Sequence, residues 1–167
     1  MGMPKQSASF WSSTGTTPKE NERADAGEYK NSVFSHGRPL VNPPQFVTAL
    51  NCMDGRTQLP VIRYLKRKYK AAFVDTITEP GIVRLANKHS AGTASVRKRL
   101  KISVDKHHSR HVALVAHHGC AGNPVSDQKQ QAQVKAGVLS VKKWNNHLEV
   151  IGLWVGPDWK VREIAQA

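Results

Sequence analysis

Both cysteines of this chain stand beside apolar runs. Cys52 opens Cys52-Met53-Asp54-Gly55-Arg56, one residue beyond the run at 46–50. Cys120 closes His117-His118-Gly119-Cys120, directly after residues 111–116. Thiolate and imidazole are ligands that zinc favours, usually four in a tetrahedron. Cys52, His117 and Cys120 supply three. The His-x-x-Cys spacing lets two side chains of one loop converge on an ion, and the third ligand arrives from a distant loop. A structural zinc site closes with four protein ligands, whereas a catalytic one keeps a position open. Three strong ligands and one ambiguous carboxylate therefore point to catalysis.

The ambiguous carboxylate is Asp54. It can serve as a fourth ligand and close the site, or pair with Arg56 through a bidentate guanidinium contact. In the second arrangement a water takes the fourth position and becomes a nucleophile near neutral pH. Asp54 then orients the hydroxide, and Arg56 holds Asp54 off the metal. His118, next to a ligand, is a candidate proton shuttle, because an unperturbed imidazole titrates near neutrality. His107, His108 and His111 read as solvated surface rather than a second metal cluster. Asp75 and Glu79 read as capping or turn residues, with a pocket role as the alternative.

The elements that must position these residues alternate. Residues 46–50 form a strand, and residues 58–69 a helix with Leu59, Ile62, Leu65 and Tyr69 on its apolar face. Pro60 fits the first turn of that helix. A strand follows at 71–76, a short helix or turn at 81–88, and a basic helix at 92–108 with Val96, Leu100 and Val104 inward. Residues 111–116 are apolar enough to be buried on both faces. Asn123-Pro124 reads as N-cap and first residue of a helix reaching about residue 146. A strand at 148–155 and an antiparallel edge strand at 159–164 complete the chain. Such alternation predicts an α/β fold with a mainly parallel central sheet flanked by helices. In these sheets ligands collect beyond the carboxyl ends of the strands, where strand order reverses. The two cysteine segments lie at such ends and meet if their strands are neighbours.

Residues 1–45 are poor in core-forming residues yet contain Phe10, Trp11, Tyr29, Val33 and Phe34. They read as an N-terminal arm, partly extended or flexible, with one short helix, and residues 46–167 as the zinc-binding domain. No apolar stretch reaches the length of a membrane span. The amino terminus lacks an apolar signal core. Two cysteines without an export signal fit a reducing, cytoplasmic setting better than a disulfide. Net charge is +13, from 25 Lys+Arg against 12 Asp+Glu. The basic residues gather at 63–70 and 97–106, inside expected helices that also carry apolar residues, so the charge reads as a solvated face and a nucleic-acid partner is not expected.

Cys-x-Asp-x-Arg after one strand and His-x-x-Cys after a later one, here Cys52, Asp54, Arg56, His117 and Cys120, resembles the β-class carbonic anhydrases, as a compact, divergent prokaryotic-type branch. The resemblance implies a sheet of order 2-1-3-4 plus an edge strand, and a homodimer or higher homo-oligomer embraced by N-terminal arms. It also implies zinc-dependent, reversible hydration of CO2 to bicarbonate by a zinc-bound hydroxide, with the Asp-Arg dyad gating the fourth position. This sequence departs from the family pattern at 75–81, Asp-Thr-Ile-Thr-Glu-Pro-Gly, so no further pocket residues carry over. Two alternatives stay open. One is a zinc hydrolase of carbonyl sulfide or carbon disulfide. The other is a non-catalytic zinc protein with Asp54 closing the site.

Overall fold

The structure, a computed structural model, describes residues 45–87 and 90–167, and the backbone of four residues before them. Those four form a small antiparallel ribbon, β1 (Phe34–Ser35) and β2 (Arg38–Pro39). The rest of the expected arm, with its short helix and Phe10, Trp11 and Tyr29, lies outside the described residues.

The α/β unit begins at Pro44. Its elements are β3 (Phe46–Asn51), α1 (Gly55–Tyr69), β4 (Phe73–Thr78), α2 (Ile82–Ala86), α3 (Ala91–His107), β5 (His111–His117), α4 (Asp127–Lys142), β6 (Glu149–Val155) and β7 (Val161–Gln166). The sheet runs β4-β3-β5-β6-β7. Its first four strands are parallel and β7 is antiparallel to β6. This is the expected order, with the expected edge strand. The order reverses between β3 and β5, which pair directly from Thr48↔Val112 to Leu50↔Leu114.

Strand alternation sorts the core into two layers. Val47, Ala49, Ala113, Val115, Ile151 and Leu153 face α1, whose Val61 and Leu65 pack on them. Leu50, Val112, Leu114, Ala116 and Val150 face α2, α3 and α4, through Val83, Leu100, Val134 and Val138 among others. Strands covered on both sides are buried along their whole length, which is why β3, β5 and β6 read as continuous apolar runs.

Three sequence expectations shift. Helix α1 starts at Gly55 with Asp54 as its N-cap, so Pro60 falls in the second turn rather than the first. Its inward face is Thr57, Val61 and Leu65, while Leu59 is 52% exposed. Helix α4 begins at Asp127 with Ser126 as N-cap, its hydroxyl accepting from Lys129 N–H. Asn123-Pro124 therefore belongs to the loop.

Candidate metal centre

Two loops leave the carboxyl ends of adjacent strands and converge. Cys52 follows β3, His117 ends β5, and Cys120 comes one turn later. One ligand atom from each of the three lies within 4.8 Å of the other two, and all three residues are buried. Both cysteines are free, with their sulfurs 3.8 Å apart. That separation is far beyond a disulfide bond and matches the about 3.8 Å between two thiolates on one tetrahedral zinc.

His117 is wholly buried. Its Nδ1 lies 2.8 Å from the His118 carbonyl oxygen and donates to it. That bond fixes the tautomer and leaves the Nε2 lone pair free, the arrangement expected of a metal-ligating histidine. Nε2 is buried with no hydrogen-bond partner of good geometry. An orphaned buried acceptor beside two thiols is costly unless a cation takes it, so the donor set fits zinc.

Charge is prepared as well. Burial raises the Cys52 thiol, but His117, the Gly81 and Asp54 N–H groups and Cys120 outweigh it and bring it down to about 7. Burial, and then the Cys52 thiolate, raise Cys120, while the Gly122 and Asn123 N–H groups oppose that rise. The Asn123 side chain, which an N-cap there would need, instead donates to Gln133 at 2.7 Å, and Asn123 N–H donates to the Cys120 carbonyl at 3.1 Å.

Gly81 and Gly122 bring these amides in. Gly81 sits at φ +59°, and a Cβ there would lie 2.4 Å from the Gly122 carbonyl oxygen. A Cβ on Gly122 would lie 2.5 Å from the Pro80 carbonyl carbon and 2.6 Å from Gly81 N. Backbone cannot yield as a side chain can. Gly122→Ala is expected to cost about 1–3 kcal/mol in chemical denaturation and to weaken zinc in a chelator competition. Unchanged values in both would refute the close-packed support.

Asp54 faces Arg56. Arg56 Nε donates to its Oδ1 and Oδ2 at 3.0 and 3.2 Å, and Nη2 to Oδ2 at 2.6 Å. The same Oδ1 accepts the Arg56 backbone N–H at 3.0 Å. Hydrogen bonds from Arg56 hold the carboxyl at about 2 despite some burial, so it is ionised throughout the neutral range. The guanidinium in turn lies 4.5 Å from the centroid of the Trp159 ring. Behind the loop, Asn51 Oδ1 accepts the Cys52 N–H and the Thr57 hydroxyl, and Gln58 Nε2 donates to the Cys52 carbonyl at 2.6 Å.

The other candidates are placed elsewhere. His118 is half exposed and its Nδ1 pairs with Asp127 at 2.8 Å. Asp75 accepts from Ser103 at 2.5 Å and pairs with His107 at 2.7 Å. Ser103 also joins Thr48, which bonds Ser109. Glu79 forms an ion pair with Arg99. Asp75 and Glu79 thus bind α3 to the sheet. His107 and His111 turn to different carboxylates, Asp75 and Glu149, and form no second cluster.

A family model described as "Putative carbonic anhydrase" matches residues 42–165. No curated protein sequence matches this chain. Solved structures share the fold at low identity. A carbonic anhydrase from Glaciozyma antarctica is 17% identical, with 91% of this chain and 98% of that one covered and a TM-score of 0.53. A carbonic anhydrase from Streptococcus mutans is 13% identical, covering 90% and 99%, with a TM-score of 0.52. A carbon disulfide hydrolase is 8% identical, covering 89% and 91%, with a TM-score of 0.55.

Proposed function

Because this chain belongs to the β-carbonic anhydrase family, we propose that it reversibly hydrates CO2 to bicarbonate with a zinc ion held by Cys52, His117 and Cys120. The observation that carries the reading is the convergence of those three buried donors, with His117 Nδ1 spent on a carbonyl and no hydrogen bond of good geometry at Nε2. When bound there, zinc supplies a Lewis acid that makes water nucleophilic near neutral pH. The chain's own residues do the rest. Asp54, always ionised, accepts a hydrogen bond from the attacking water and orients it. Arg56 holds Asp54 in that role, and Trp159 backs the guanidinium. His118, exposed beside the ligand loop, is the group we assign to passing protons to solvent. Asp54 with both oxygens committed to Arg56 supports an open fourth position over a permanently closed, non-catalytic site.

Stopped-flow CO2 hydration by zinc-loaded protein tests the proposal. Turnover well above buffer is expected between about pH 6 and 9, and none at any pH in that span would sink it. The same nucleophile can attack carbonyl sulfide or carbon disulfide, and pocket shape decides among them. Faster turnover of a sulfur analogue in a parallel assay would reassign the substrate and leave the metal centre standing. A homodimer or higher homo-oligomer is part of the proposal. The exposed apolar Met53, next to Cys52, and Leu59 on α1 support it, and one similar fold is that of tetrameric β-carbonic anhydrases from Sordaria macrospora. Sedimentation showing only monomer would remove that part. Among the described residues no helix is long and apolar enough to cross a membrane.

A further inference from the structure

The basic cluster on α3 has no part in the zinc chemistry. Arg97, Lys98 and Lys101 are exposed on that helix. The turn after α4 brings Trp144 beside them, an aromatic contributed from a different element. Between the two lies a cleft of about 380 Å³. Buried Leu100 and Leu148 contribute to its lining, and the three cations and Trp144 line it as well. Leu148 precedes the amino end of β6, whereas the metal loops leave the carboxyl ends of the strands, so the cleft is a separate place on the molecule.

Its chemistry is mixed in an informative way. Lys101 is held by Asp105 at 2.5 Å, which cancels one charge. Among the described residues Arg97 and Lys98 have no carboxylate partner. The Arg97 guanidinium lies 5.8 Å from the Trp144 ring centroid, at the outer limit of a cation–π contact. A simple anion has no use for the indole and the leucines. A purely apolar ligand has no use for the two free cations. A flat ring bearing a phosphate uses both, by stacking on Trp144 and accepting the guanidinium fork and the lysine. The volume falls within the range of small-molecule sites.

We infer that this cleft binds a nucleotide unit, with its base against Trp144 and its phosphate on Arg97 and Lys98. The unit is a free mononucleotide or one residue of a single strand, and the two share this chemistry.

Fluorescence anisotropy on the full chain at physiological salt tests it, with a fluorescently labelled adenosine phosphate and a labelled short oligothymidylate as probes. Saturable binding of at least one is expected. Lys98→Glu and Arg97→Glu should each weaken it about tenfold, and Trp144→Leu by a similar factor. Lys66→Glu, a matched charge change on α1 across the sheet, should leave it unchanged, and none of these variants should alter CO2 hydration. Trp144 packs against the core. If Trp144→Leu melts early, displacement by inorganic phosphate replaces it as the readout of ring recognition. Comparable affinity for both probes identifies a free nucleotide, and a clear preference for the oligomer identifies a single strand. No binding of either probe overturns the inference. So does binding that Arg97→Glu and Lys98→Glu leave intact, or equal displacement by inorganic phosphate or an acidic peptide.

Discussion

His117→Ala protein is expected to purify without zinc and to lose CO2 hydration by about a thousandfold or more, beyond the about 10–100-fold that outer partners of a ligand are worth. The expectation follows from how this imidazole is held. It is 0% exposed, its Nδ1 is spent on the His118 carbonyl, and its only unused atom is the one that meets the two sulfurs. Removing it leaves two thiolates near each other with one donor fewer to hold a cation between them. The truncation also empties a buried site, at a cost of about 2–4 kcal/mol by analogy with other large-to-small changes in a core. His117→Gln therefore accompanies it, because it keeps most of the volume. Zinc per chain by elemental analysis and stopped-flow hydration are the two readouts. Stoichiometric zinc in either variant would remove His117 from the ligand set.

Asp54→Asn should separate chemistry from structure. Asparagine caps a helix as well as aspartate does, so α1 should survive and stability should change by no more than about 0.5 kcal/mol. Zinc should stay at one per chain. Hydration should fall by about a hundredfold or more, the usual scale of a lost preorganised hydrogen-bond partner, because an amide neither carries the charge nor holds Arg56 as the carboxylate does. Each other outcome has a meaning. Loss of zinc would make Asp54 a ligand and the site closed. Full activity would reduce Asp54 to a cap.

The parts of this molecule that were legible in its sequence share a physical cause. Strands β3, β5 and β6 are buried on both faces, so their burial is written as apolar runs that no neighbour has to explain. The cluster of three candidate donors was legible because thiols and imidazoles at strand ends are rare and chemically committed. What was hidden depends on contacts between distant segments. Gly81 and Gly122 matter only because two backbones meet there. Asn123-Pro124 carries a local helix-start signal, but the Asn123 side chain is taken by Gln133, ten residues on, and cannot cap. Thr57 lies inward on α1, where an apolar pattern favours Leu59, because its hydroxyl reaches Asn51 Oδ1 and the Asp54 carbonyl, at 2.8 Å from the latter.

One oxygen of Asp54 serves two masters. Oδ1 receives the guanidinium and also the first-turn amide of α1, since Asp54 is the residue on which that helix begins. A carboxylate that swings away to the metal lets go of both. The cap alone is worth about 1 kcal/mol, a factor of about five in population, before the ion pair is counted. If Asp54 gates the metal as the family resemblance implies, the gate has a spring, and the spring is the helix. Fraying at the head of α1 and closure of the metal site would then be one event, and a partner that clamps the first turn of α1 would also hold the gate open.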